Sequence, residues 1–158
     1  MKDNQIPTDG IGINDKEQAK LKRDSLSMSV LGVWDIASLQ VKNKFGKSED
    51  PKITAAKKQA YAIVNKYGSA PFLLALNISA LDMKGQLDEF IQLSKDAGGT
   101  VHNDMENPAT QACLAELKQF QTEYGFSTED CIGFGILASQ QFSKSKPDDN
   151  NEPKNELP

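Results

Sequence analysis

The chain holds one histidine, His102, followed closely by Asp104 and Glu106. Chemistry at neutral pH recruits a histidine, a tuned carboxylate pair, an activated nucleophile or a metal, so this cluster is the first candidate. Its three residues fall in an irregular stretch, and no second His or Cys lies at a metal-ligand interval. A solvated loop histidine is the favoured reading, with no metal and no other cofactor. Gly10-Ile11-Gly12 and Gly133-Phe134-Gly135 lack the third glycine, the preceding strand and the lysine of a phosphate cradle. The second triplet fits a place where helices approach closely, or where the last helix is loosened. Asp88-Glu89 and Glu129-Asp130 are adjacent pairs whose side chains diverge on a helix. Glu129-Asp130 suits a helix N-terminus, where the macrodipole favours negative charge. Cys113 and Cys131 lie on consecutive expected helices without ligand spacing. They read as reduced packing residues, with a disulfide as the lesser alternative. No enzyme is expected.

Phosphate binding is the remaining chemistry. Formal net charge is -4 over 158 residues, but the charge is unevenly spread. Residues 16–66 are predominantly basic and residues 67–158 predominantly acidic. Lys44, Lys47, Lys52, Lys57 and Lys58 cluster around one short turn and the helices flanking it. A helix-turn-helix-like unit there would set a lysine face against double-stranded DNA. An ordinary solvated face is the favoured reading of these lysines, with DNA contact as the alternative, and none is the arginine that reads guanine bidentately.

Apolar spacing supplies the elements that must carry these residues. Residues 1–14 are expected as a flexible arm, 15–142 as a single helical domain with a basic half (16–66) and an acidic half (67–142), and 143–158 as a disordered acidic tail. Five helices are predicted near 15–45, 51–67, 71–97, 108–124 and 128–142, giving an all-α fold with a long helical hairpin. Asp50-Pro51 and Asn107-Pro108 are cap-plus-N1 signals, and Gly68 and Gly125 are stop signals. Gly32, in the middle of the first helix, marks a kink or a close helix contact. Leu73, Leu76, Met83 and Leu87 repeat at heptad spacing across Gly85. That seam is either a core face within one subunit or an interface between subunits, and it motivates an expected homo-oligomer. Thr100-Val101-His102 is a possible short strand in the connector. No run of 18 apolar residues exists, so no membrane span is expected, and the chain is placed in the cytoplasm.

Leu81-Asp82, a glycine-bearing connector, Asn107-Pro108, a helix and then Gly125-Phe126-Ser127 occur in that order. Over about residues 70–132 this resembles the C-terminal half of small terminase subunits of tailed phages and prophages. In that family the helix closes on Gly-Leu-Thr-Pro followed by Arg; here Thr128 stands for the Pro and Cys131 for the Arg. The resemblance implies a non-catalytic DNA-packaging protein in a bacterial host cell. Such a protein assembles with itself, possibly as a ring, binds viral double-stranded DNA and regulates the large terminase subunit. The alternative is a helical adaptor or chaperone-like protein-binding module of a secretion, conjugation or host-takeover system.

Overall fold

The computed structural model describes residues 11–145, with side chains described from Asp15 onward. The expected arm over 1–10 and tail over 146–158 lie outside the described residues. Among the described residues seven helices run in order: α1 Ile11–Phe45, α2 Pro51–Tyr67, α3 Ser69–Met83, α4 Leu87–Asp96, α5 Val101–Met105, α6 Pro108–Tyr124 and α7 Thr128–Ser145. Among the described residues there is no sheet. The expected all-α class holds, and three local readings do not.

The first correction is the third helix, expected unbroken over 71–97. It ends at Met83, and α4 starts at Leu87. Gly85 adopts φ +70°, its N–H donates to the Asp82 carbonyl at 3.0 Å, and the Gln86 N–H donates to the Leu81 carbonyl at 2.8 Å. This is a Schellman ending, which satisfies carbonyls a helix end would leave unpaired. Gly98 and Gly125 close α4 and α6 through the same pair of bonds. Apolar residues on both sides of Gly85 keep helical spacing because both helices bury them in one core. Spacing alone is therefore blind to the break. The second correction is Thr100-Val101-His102, which enters the helical turn α5 and forms no strand. The first helix also starts earlier than expected, so residues 11–14 belong to α1.

The starts of α2 and α6 follow their sequence signals. Asp50 accepts from the Lys52 N–H and Asn107 from the Ala109 N–H, both at 2.9 Å, with Pro at the first helical position in each.

The last helix forms the centre. α7 is buried nearly all round, from Asp130 to Phe142, and packs against α1, α2 and α3, while α6 closes on α2 and α3, and α4 on α1. Its two glycines set two of these approaches. A side-chain carbon on Gly133 would collide with the Ala37 carbonyl and Val41 of α1, and one on Gly135 would fall 2.8 Å from a Leu76 methyl of α3. The expected close approach at this triplet is what the packing shows. Phe45, Phe120, Tyr124, Phe126 and Phe134 join the ends of α1, α6 and α7 in one aromatic cluster, with Phe126 stacked on Phe134 at 4.7 Å between centroids.

Candidate functional site

The basic corner is built by the C-terminal end of α1, the turn over 46–50 and the first turns of α2. Asp50 and Pro51 start α2, so Lys52 lies in its first turn and Lys57 and Lys58 lie about two turns in. The two helices make few direct contacts and are held side by side mainly through α7. The expected helix-turn-helix-like unit is therefore not a self-contained pair.

Two of the five candidate lysines are engaged within the subunit. Lys44 Nζ donates to both oxygens of Asp130, at 2.8 and 2.9 Å. This joins the C-terminus of α1 to the N-terminus of α7, with each charge at the dipole end that favours it. Asp130 is almost enclosed, its side chain 12% exposed. Lys57 Nζ donates to the carbonyls of Phe45 and Gly46 at 3.0 and 3.4 Å, capping the end of α1. Lys47, Lys52 and Lys58 are exposed and have no ion-pair partner among the described residues. Lys57 and Lys58 also edge a shallow groove of about 510 Å³ between α2 and α7, lined by Thr54, Tyr61, Ala62, Asn65 and Gln141.

The candidate interface seam is placed differently from the lysines. Leu76 is fully buried, and Leu73 and Leu87 are half-buried against the same core. Only Met83 faces solvent, at 41% exposure. The heptad spacing thus serves the subunit's own packing at three of its four positions. A different apolar surface emerges on α1, where Leu21, Met28, Leu31, Ile36 and Leu39 are all exposed. The opposite face of that helix, with Val30, Ala37 and Val41, is buried. The missed signal was a second set of apolar residues at helical spacing.

His102 is half-buried on α5, not solvated in a loop, and its Nδ1 lies 3.1 Å from Ser94 Oγ. Ser94 has no solvent exposure, so its hydroxyl is sealed from any substrate, and the contact ties α5 to α4. Among the described residues no three His, Cys, Asp or Glu side chains group as metal donors. Lys66, Tyr67 and Glu116 form a further cluster, with Lys66 Nζ 2.6 Å from Glu116 Oε2 and the Tyr67 hydroxyl donating to the same oxygen. The Glu116 carboxyl is held below its ordinary range by the Lys66 and Tyr67 hydrogen bonds. In return, the bond to Glu116 raises both the Lys66 ammonium and the Tyr67 phenol. The cluster links α2 to α6.

Beside α1, Ser27, Val30, Leu31, Trp34, Asn77, Leu81 and Phe90 line a cavity of about 150 Å³. The Trp34 indole N–H and the Asn77 side-chain carbonyl are buried there without a partner among the described residues. No helix among the described residues is long and apolar enough to cross a membrane. No protein-family model, no curated protein and no solved structure matches the chain.

Proposed function

We propose that the chain is a non-catalytic DNA-packaging protein of the terminase small-subunit type. In this reading it acts as a homo-oligomer in the cytoplasm of a bacterial host, binds double-stranded DNA through phosphate and regulates the large terminase subunit. The observation that carries it is the corner at which Lys47 of the turn and Lys52 and Lys58 of α2 are exposed with no acidic partner among the described residues. Three unpaired ammonium groups on a chain of net charge -4 make a local anion site on a body that repels polyanions elsewhere. Lysines bind phosphate as point charges and read no sequence, so specificity would come from assembly along the DNA and from its shape. Lys44 and Lys57 are left with structural duties. The resemblance over about residues 70–132 adds to this reading, although Asn107 and Gly125 also have local capping roles that any helical junction requires.

The test is a mobility shift with the chain's own genomic DNA at low salt. Binding is expected, with log K falling against log salt by about 0.9 per neutralised phosphate, or about 3 per subunit for three lysines. Changing Lys52 and Lys58 together to Glu should abolish the shift and leave helix content unchanged. If the wild-type protein shifts nothing at low salt, the adaptor reading replaces this one. Its specific support is the exposed apolar face of α1, a surface of the kind that docks a protein.

A further inference from the structure

The groove edged by Lys57 and Lys58 continues toward α1. A second hollow of about 230 Å³ adjoins it, lined by Lys42 and Gly46 at the end of α1 and by Phe134, Leu137 and Ala138 of α7. Lys57 and Gln141 line both parts. The channel carries Lys42, Lys57 and Lys58, and no Asp or Glu is among its lining residues. Three ammonium groups without a carboxylate between them suit an acidic chain. The course of α7 says which one. Gln141 lies at the channel, and α7 ends one turn later at Ser145. The sequence continues Lys146-Pro147-Asp148-Asp149, and residues 146–158 hold four Asp/Glu against two Lys. Phe142 meets the Tyr61 ring at 6.1 Å between centroids, and Lys58 lies one turn from Tyr61 on α2. Asp148 and Asp149 are three and four residues beyond Ser145, a reach of about 10–14 Å for extended chain. Both can therefore arrive at Lys58.

We propose that segment 146–158 docks in this channel of its own subunit, with Asp148, Asp149 and Glu152 set against Lys42, Lys57 and Lys58. Each exposed ion pair is worth little by itself. The segment is tethered one turn beyond Gln141, however, so its effective concentration at the channel is on the order of millimolar. Weak contacts then suffice together. Lys57 Nζ already donates to the Phe45 and Gly46 carbonyls, and an ammonium has a third hydrogen to give. Lys58 is common to the channel and to the proposed DNA corner, so the docked segment competes there with phosphate. This consequence rests on the packaging reading and deepens it: a ligand must present several closely spaced phosphates to displace the segment.

The test uses the full chain with Asn151→Cys, which keeps every charge of the segment. Both native cysteines are buried with thiols pushed up to about 12, so a nitroxide reagent at neutral pH labels only the new one. At low salt the label is expected to broaden the amide resonances of Thr54, Lys58 and Gln141 and to spare those of α5, which packs away from α7 against α3, α4 and α6. Changing Lys42 and Lys58 together to Glu should remove the broadening, as should about 1 M salt, where charges are screened beyond about 3 Å. Absence of broadening at the channel, or its persistence in the double Glu variant, would overturn the proposal. Broadening in a mixture of labelled chain with isotope-enriched chain lacking the new cysteine would assign the segment to a second copy, and would overturn it too. DNA binding is scored separately. Asp148→Asn, Asp149→Asn and Glu152→Gln together should raise affinity at low salt about tenfold, the gain expected where docking leaves about one chain in ten competent. DNA binding at unchanged affinity would overturn the competition. If neither protein shifts DNA, the packaging reading falls, and the spectra still decide the docking.

Discussion

At the scale of single residues, sequence-equivalent lysines divide by what they touch. Lys44 neutralises the nearly enclosed Asp130, and removing one partner of such a pair leaves the other charge without its hydrogen bonds. Lys44→Ala is expected to destabilise the fold by about 2 kcal/mol, read as a lower urea midpoint at unchanged slope. Lys58→Ala, at an exposed site without an ion-pair partner among the described residues, should stay within about 0.5 kcal/mol. The cysteines give a second residue-level expectation. Burial pushes both thiols up to about 12, and both are free. Neither should react with a thiol reagent at pH 8 in native protein, because the thiolate is the reactive form. Both should label on unfolding in urea, as mass spectrometry would show. The Lys66–Tyr67–Glu116 cluster predicts a pH window. Glu116 is depressed, so its contribution is present above the unfolded carboxylate value of about 4.5 and is lost as pH falls through the lower folded value. Tyr67 and Lys66 are raised, so theirs is present below about 10 and is lost as pH rises through the folded values. Glu116→Gln should flatten stability at both edges of that window, measured by thermal melts across pH. The effect should be small, because the groups are largely solvated.

At the scale of elements, the helices are positioned by their glycines as much as by their apolar faces. Gly133 lies against the backbone carbonyl of Ala37, which cannot yield without moving α1, whereas Gly135 lies against the end of a Leu76 side chain, which can rotate. Gly133→Ala is therefore expected to cost about 3 kcal/mol by overpacking, and Gly135→Ala about 1 kcal/mol, with denaturant midpoints giving the order. Gly85 answers to a different constraint. Its neighbourhood is open, but its φ of +70° is a conformation other residues adopt at a cost of about 1–2 kcal/mol. This explains how a heptad pattern over 73–87 was compatible with both one long helix and two short ones. Periodicity records which side of a helix is apolar, whereas the sign of φ at one glycine decides whether the helix continues. The caps are the opposite case. Asp50-Pro51 and Asn107-Pro108 mark helix starts that the structure places where sequence puts them, because capping is a local bond between neighbours in the chain.

At the scale of the whole molecule, the sequence by itself determined the all-α class, the places of α2, α6 and the start of α7, and the gathering of lysines near one turn. Each of these rests on contacts between residues a few positions apart, through caps, dipoles and helical spacing, so a linear reading can reach them. Only the tertiary structure decided which lysines are available. Lys44 meets Asp130 across 86 positions of sequence, and no local pattern reports that distance. The same holds for the interface. Leu76 and Leu39 are both leucines at helical spacing, yet one is enclosed by α7 and the other faces water. Which apolar face of a helix is buried depends on where its neighbours pack, and here α7, the last helix in the chain, claims one side of α1 and leaves the other uncovered.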